Sequence, residues 1–148
     1  MNRDIAERLA KLLEHSGGRR IIDLCSGAGG PLLKVHRILE QDLGVEAEVV
    51  LTDLYPNVEA FKRREAQASR VSARYESTSA FDVPQELSGV RTLFTALHHF
   101  RPEGARKILT DAVRKHQAIA VFEPQERTLS SLAAVTIMVF QLSFLYTP

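Results

Sequence analysis

The sequence predicts an α/β chain with a doubly wound, mostly parallel sheet and helices on both faces. Three observations predict it: five short strand-like runs, helical patterns alternating with them, and small, acidic and imidazole residues placed just past their carboxyl ends. Parallel neighbours need crossover connections, and those crossovers are usually helices, so this alternation argues a parallel sheet covered on both sides. At 148 residues the chain has the length of one domain, and 1–148 are expected to form a single core.

The elements follow in order. Over 4–14 the apolar residues Ile5, Leu9, Leu12 and Leu13 form one helical stripe, with Gly17 and Gly18 placed to end it. A β-branched run at 20–25 stops at the small-residue loop 26–30, and Pro31 suits the first turn of a helix with Leu32, Val35, Ile38 and Leu39 inside. A second strand is expected at 47–52, ending at Asp53, followed by a helix over 56–69 around Val58 and Phe61. A third strand falls at 73–77 and a fourth at 91–95. Pro102 then opens a helix with Ala105, Ile108, Leu109, Ala112 and Val113 on its inner face, and the fifth strand is 118–122. From Thr128 to Pro148 there is no charged residue, and an apolar helix is expected at about 127–146. A helix hydrophobic all round is buried or in lipid. Burial against the sheet is the expectation, with membrane-surface contact, a membrane span or self-association as the alternatives.

Composition narrows the function classes. With 45% hydrophobic and 25% charged residues this is an ordinary folded chain rather than a disordered or fibrous one. Lys+Arg 19 against Asp+Glu 18 leaves a formal charge of +1, so no nucleic-acid partner is expected. The single cysteine, Cys25, cannot form an internal disulfide, and no Cys/His spacing suits a structural metal, so no metal is expected and a cytoplasmic setting fits. The charged start, Met1 to Asp4, is not that of a secretory signal.

In an open parallel sheet ligands bind outside the carboxyl ends of the strands. Gly27 and Gly29 let a ligand approach the backbone closely, and the helix that follows presents unpaired N–H groups. Asp53, 24 residues beyond Gly29, is placed to accept hydrogen bonds from the hydroxyls of a ribose. A nucleoside-containing ligand is therefore expected. The dinucleotide pattern G-x-G-x-x-G fails, because Leu32 stands where the third glycine belongs.

The run Asp23-Leu24-Cys25-Ser26-Gly27-Ala28-Gly29 resembles the first motif of the class I S-adenosylmethionine-dependent methyltransferases, acid-x-Gly-x-Gly-x-Gly, departing at Cys25. The resemblance runs from the leading helix to Glu123. It implies a Rossmann-like methyltransferase fold, S-adenosylmethionine as cofactor, and methyl transfer to a small-molecule acceptor by direct in-line displacement. Residue by residue it implies a cofactor site of Asp23, Cys25, Ser26, Gly27 and Gly29, with Asp53 on the ribose and Leu54 beside the adenine. Asp82 would face the adenine amino group, Val83 would offer backbone to the ring, and Thr95 and Ala96 would line the methionine half. The family sheet has seven strands, so the last two are expected to be missing here and the chain to be the amino-terminal part of a longer protein. Were Pro148 the true end, strand five would be an exposed edge prone to association.

Each residue also has a plainer role. Asp23 serves the cofactor's amino group, directly or through water, or caps the glycine loop; Asp82 serves the adenine or an Asx turn. Cys25 reads as a small packing residue rather than a nucleophile. Glu123 reads as a strand terminator, outside the site. Lys62, Arg63 and Arg64 read as a solvated charge run on the outer face of their helix. His98 and His99 are the side chains at the reaction edge that titrate near neutrality, and are the candidates for a catalytic general base. The alternative functions are an NAD(P)-dependent oxidoreductase using the same loop and Asp53, and a non-catalytic Rossmann-like binding module that docks at membranes through its apolar end.

Overall fold

A computed structural model describes residues 1–123 of the chain, so the apolar helix expected at 127–146 lies outside the described residues. The elements are α1 (Asn2–Ser16), β1 (Arg20–Leu24), α2 (Gly30–Gln41), β2 (Glu48–Leu51), α3 (Val58–Gln67), β3 (Val71–Ala73), β4 (Val90–Phe94), α4 (Pro102–Arg114) and β5 (Ile119–Phe122). The strands form one parallel sheet in the order β3-β2-β1-β4-β5. Strand order reverses beside β1, which puts the topological switch point between the ends of β1 and β4.

Side chains alternate across the sheet, as a period of two requires. Ile21, Val49, Leu51 and Val90 face α1, α2 and α3, where Leu9, Leu13, Leu32, Leu39 and Phe61 complete one buried cluster. Ile22, Leu24, Val50 and Leu93 face the other way, onto Val83, Leu87 and Ile108 of α4. Gly17 ends α1 in the left-handed conformation expected of it, and Pro31 sits in the first turn of α2.

Four details depart from the sequence reading. The third strand is Val71–Ala73 rather than 73–77, because β2 offers partners only from Val49 to Leu51 and the chain then turns along the carboxyl edge. Val58 is exposed, and α3 buries Ala60 and Phe61 instead. On α4 the buried stripe is Ile108, Asp111 and Ala112, while Leu109 and Val113 face outward at 42% and 71% exposure. The helix is rolled so that Asp111 meets the buried Arg91 on β4, which turns the next positions round, Leu109 and Val113, away. His36, not singled out as a core residue, is buried on α2, where its Nε2 donates to the Ala47 carbonyl at 2.8 Å.

Candidate functional site

The loop after β1 is held by one buried carboxylate. Asp23 is 2% exposed. Its Oδ1 accepts from Thr92 Oγ1 at 2.8 Å and its Oδ2 from Ser26 Oγ at 2.7 Å, while its carbonyl accepts from Thr52 Oγ1 at 2.8 Å. A single residue thus joins β1, β4, the segment after β2 and the glycine loop. Burial pushes the Asp23 carboxyl up to about 6, against the opposing pull of the Ser26 and Thr92 hydroxyls and with a further push from the Asp53 charge. The side chain is buried among these partners, so this geometry favours the loop-holding role.

Cys25 follows with φ 57°, the left-handed conformation that starts the turn. Burial, then the charges of Asp53 and Asp23, pushes its thiol up to about 11, so it is no thiolate at neutral pH. Ser26 N–H donates to the Thr52 carbonyl at 2.9 Å, and Gly29 N–H to the Ser26 carbonyl at 2.7 Å. Gly27 and Gly29 have φ of 53° and 70°. A Cβ on Gly29 would stand 2.9 Å from Leu51 Cδ1, whereas one on Gly27 would meet nothing within 4 Å. Gly29 is favoured by its left-handed φ and by the crowding of Leu51 beneath the loop, and Gly27 opens onto free space above it.

Asp53 closes the loop from the neighbouring strand. Its Oδ2 accepts from Gly27 N–H at 2.8 Å and its Oδ1 from Tyr55 N–H at 2.9 Å. Each oxygen keeps further acceptor capacity, so the carboxylate can also take a diol. Leu54 stands beside it, 43% exposed, an apolar surface suited to a flat ring. The segment that lies against Asp53 and Leu54 is Ser77-Thr78: Thr78 N–H donates to the Asp53 carbonyl at 2.8 Å and Ser77 Oγ to the Leu54 carbonyl at 2.7 Å. The short polar run Ser77-Thr78-Ser79 was the available signal for this wall.

Asp82 and Val83 make no hydrogen bond to these groups, although Val83 packs with Leu24 and Ala96 beneath them. Asp82 is exposed and ion-paired with Lys115 Nζ at 2.6 Å. Val83 is fully buried, with its N–H donating to Asp111 Oδ2 at 3.2 Å and its carbonyl accepting from Lys115 Nζ at 2.6 Å. Its backbone is therefore already partnered rather than open to a ring. Arg64 also departs from the solvated-run reading, because its Nε donates to the Ala28 carbonyl at 2.8 Å and braces the glycine loop from α3. Lys62 and Arg63 are exposed as expected.

The remaining candidates lie past β4. Thr95, at φ 52°, turns the chain and donates its N–H to the Phe122 carbonyl at 2.9 Å, while Ala96 is buried. A 3-10 turn, Leu97–His99, carries both histidines with ring centroids 4.0 Å apart. Glu123, set aside in the sequence reading, accepts from Leu97 N–H at 2.8 Å and lies 2.6 Å from His98 Nδ1. Strand adjacency of β4 and β5 brings these groups together across 25 residues of sequence, a pairing no local pattern carries.

A cavity of about 980 Å³ opens elsewhere, at the amino ends of β1 and β2, lined by Lys11, Gly17, Arg19, Gly44 and Glu46. It contains none of the groups above and lies at the edge where α/β sheets do not bind their ligands.

No family model matches the chain, and no curated protein does. Solved structures do resemble it. The trans-methyltransferase CalH, in complex with S-adenosylhomocysteine, is 23% identical with a TM-score of 0.56, over 76% of this chain and 34% of CalH. A Burkholderia thailandensis protein bound to S-adenosylhomocysteine is 26% identical with a TM-score of 0.51, over 65% of this chain and 25% of its own. The methyltransferase domain of bacterial CtHen1-C is 20% identical with a TM-score of 0.55, over 81% and 64%. The chain thus spans about a third of the first, a quarter of the second and under two thirds of the third. Its fold is the Rossmann-like α/β fold of the class I S-adenosylmethionine-dependent methyltransferases. No helix among the described residues is long and apolar enough to cross a membrane.

Proposed function

We propose that the chain carries out S-adenosylmethionine-dependent methyl transfer to a small-molecule acceptor by in-line displacement. The observation that carries this reading is the Asp53 carboxylate held 2.8 Å from Gly27 N–H at the carboxyl edge, beside open space over Gly27 and the exposed Leu54. That donor set fits a nucleoside: a carboxylate for the ribose hydroxyls, an apolar side chain for the base and bare backbone for close approach.

S-adenosylmethionine supplies, when bound, a methyl group already activated on a sulfonium sulfur. The protein's part is then alignment, and positioning alone supplies about 7 to 11 kcal/mol in favourable cases. Asp53 holds the ribose and Leu54 flanks the adenine. Asp23, through Ser26, keeps the loop in shape, and Thr95 and Ala96 line the methionine half. His98 and His99 stand at the acceptor side. The partner is a small molecule and not nucleic acid, consistent with the near-zero charge, and the single cysteine supports a reducing, cytoplasmic setting.

Calorimetric titration with S-adenosylmethionine, beside NAD at equal concentration, tests the proposal; selective micromolar binding of the former is the expected result. In Asp53→Ala the dissociation constant should rise roughly thirtyfold, about 2 kcal/mol for lost charged hydrogen bonds. An unchanged constant, or a preference for NAD, would sink the assignment.

A further inference from the structure

Glu123 and His98 form a pair with a defined direction. Glu123 Oε1 is fixed by Leu97 N–H at 2.8 Å while Oε2 reaches His98 Nδ1 at 2.6 Å, so the carboxylate is gripped at both oxygens. Burial works to raise its pKa, but the bonds from His98 and Leu97 prevail and hold it below the usual carboxylate range. An ionised carboxylate has no proton to share, so a neutral His98 must carry its proton on Nδ1. The lone pair then lies on Nε2, across a ring whose side chain is 48% exposed at the carboxyl edge. His99 lies against the same ring, tilted by 44°, but has no carboxylate partner among the described residues.

The geometry points to His98 Nε2 as a general base, with Glu123 as its positioning residue, and hence to an acceptor that must shed a proton: a hydroxyl, a protonated amine or an acidic carbon rather than a thioether or tertiary amine. The inference rests on the methyl-transfer reading above. His98 Nε2 takes the proton as the acceptor atom forms its bond to the methyl carbon of the sulfonium donor. The carbon–sulfur bond breaks, its electron pair stays on sulfur, and the imidazolium so formed faces the Glu123 carboxylate. General bases of this kind contribute about 10² to 10⁴-fold.

Nitrogen-15 spectra of the histidine-labelled full chain, without cofactor or acceptor, read the tautomer directly at about pH 8.5, well above the ordinary imidazole pKa of about 6.5. His98, assigned by its loss in His98→Gln, should be in the Nδ1–H form and should move toward the Nε2–H form in Glu123→Ala. His36, whose Nε2 donates to the Ala47 carbonyl, should stay in the Nε2–H form throughout and reports that the variant is folded. Wild-type His98 in the Nε2–H form overturns the pair, and so does an unchanged His98 signal in a folded alanine variant. If that variant does not fold, the wild-type spectrum decides alone. S-adenosylmethionine titrated into the same sample separates the two claims. Absence of binding overturns the methyl-transfer reading and the base role with it, whatever the tautomer; binding with the wrong tautomer overturns the pair alone.

Discussion

Asp111→Ala is expected to cost about 3 to 5 kcal/mol of stability, because it strands a buried cation. Arg91 is 1% exposed, and its Nη1 meets Asp111 Oδ2 at 2.8 Å. Its Nε already lacks a hydrogen-bond partner, so little around it can replace the lost carboxylate. Lys115, 2.7 Å from Asp111 Oδ1, is better placed, since it keeps Asp82 at 2.6 Å. Val83 N–H loses its acceptor as well. Urea unfolding near neutral pH should show a lower midpoint with an unchanged slope. A loss below about 1 kcal/mol would mean that Arg91 reaches water and that the pair is not structural. Arg91→Met combined with Asp111→Leu should recover most of the loss, because apolar replacement of a whole buried pair is often neutral. Burial works to raise the Asp111 pKa, but Lys115, Val83 N–H and Arg91 together keep it below the ordinary value of 3.8. Its stabilising contribution is therefore present above the unfolded pKa and is lost only as pH falls through the lower folded value.

Asp23 behaves in the opposite sense. Its carboxyl stands at 3.8 in the unfolded chain and about 6 in the fold. Between those values the folded state holds a proton that the unfolded state has released, so this group's contribution to stability falls as pH rises through that window. The loss amounts to about 3 kcal/mol once pH exceeds both values. Asp23→Asn keeps the shape and removes the charge. The stability of the variant relative to wild type should thus rise by about 2 kcal/mol between pH 4 and 7, measured as paired denaturant melts across the range. A flat difference curve would mean that Asp23 is hydrated or compensated in the native loop. Taking the difference between two chains cancels Asp111 and the other carboxylates, which titrate in both.

Much of this architecture is legible in the residues. The runs that became β1, β2, β4 and β5 are β-branched or apolar, bounded by Gly, Asp or Pro, and lie within about two residues of their observed limits. The glycine loop and Asp53 are legible for the same reason: backbone close approach and a strand-end carboxylate are local signatures. What escaped was set by contacts across the sheet. Val71–Ala73 is a strand because Val49 to Leu51 pair with it, not because of its own pattern. The roll of α4 is decided by Arg91, twenty residues from Asp111, so the apolar spacing of Leu109 and Val113 misled. Asp82 has the right residue type in the right loop and is ion-paired with Lys115, a partner no local pattern announces, while Ser77 and Thr78 sit where a reader seeking an acid would pass over them.

The glycine loop is tied down before any ligand arrives. Ser26, Gly27 and Gly29 each donate a backbone N–H to Thr52, Asp53 and Ser26 respectively, and Asp23 anchors the same turn through Ser26 Oγ. Amides bound in this way exchange with solvent only when the surrounding structure opens, so these loop protons should exchange on the timescale of the central strands rather than that of a surface turn. A ligand settling there has little chain left to order, since that entropy was surrendered when β1, β2 and β4 came together.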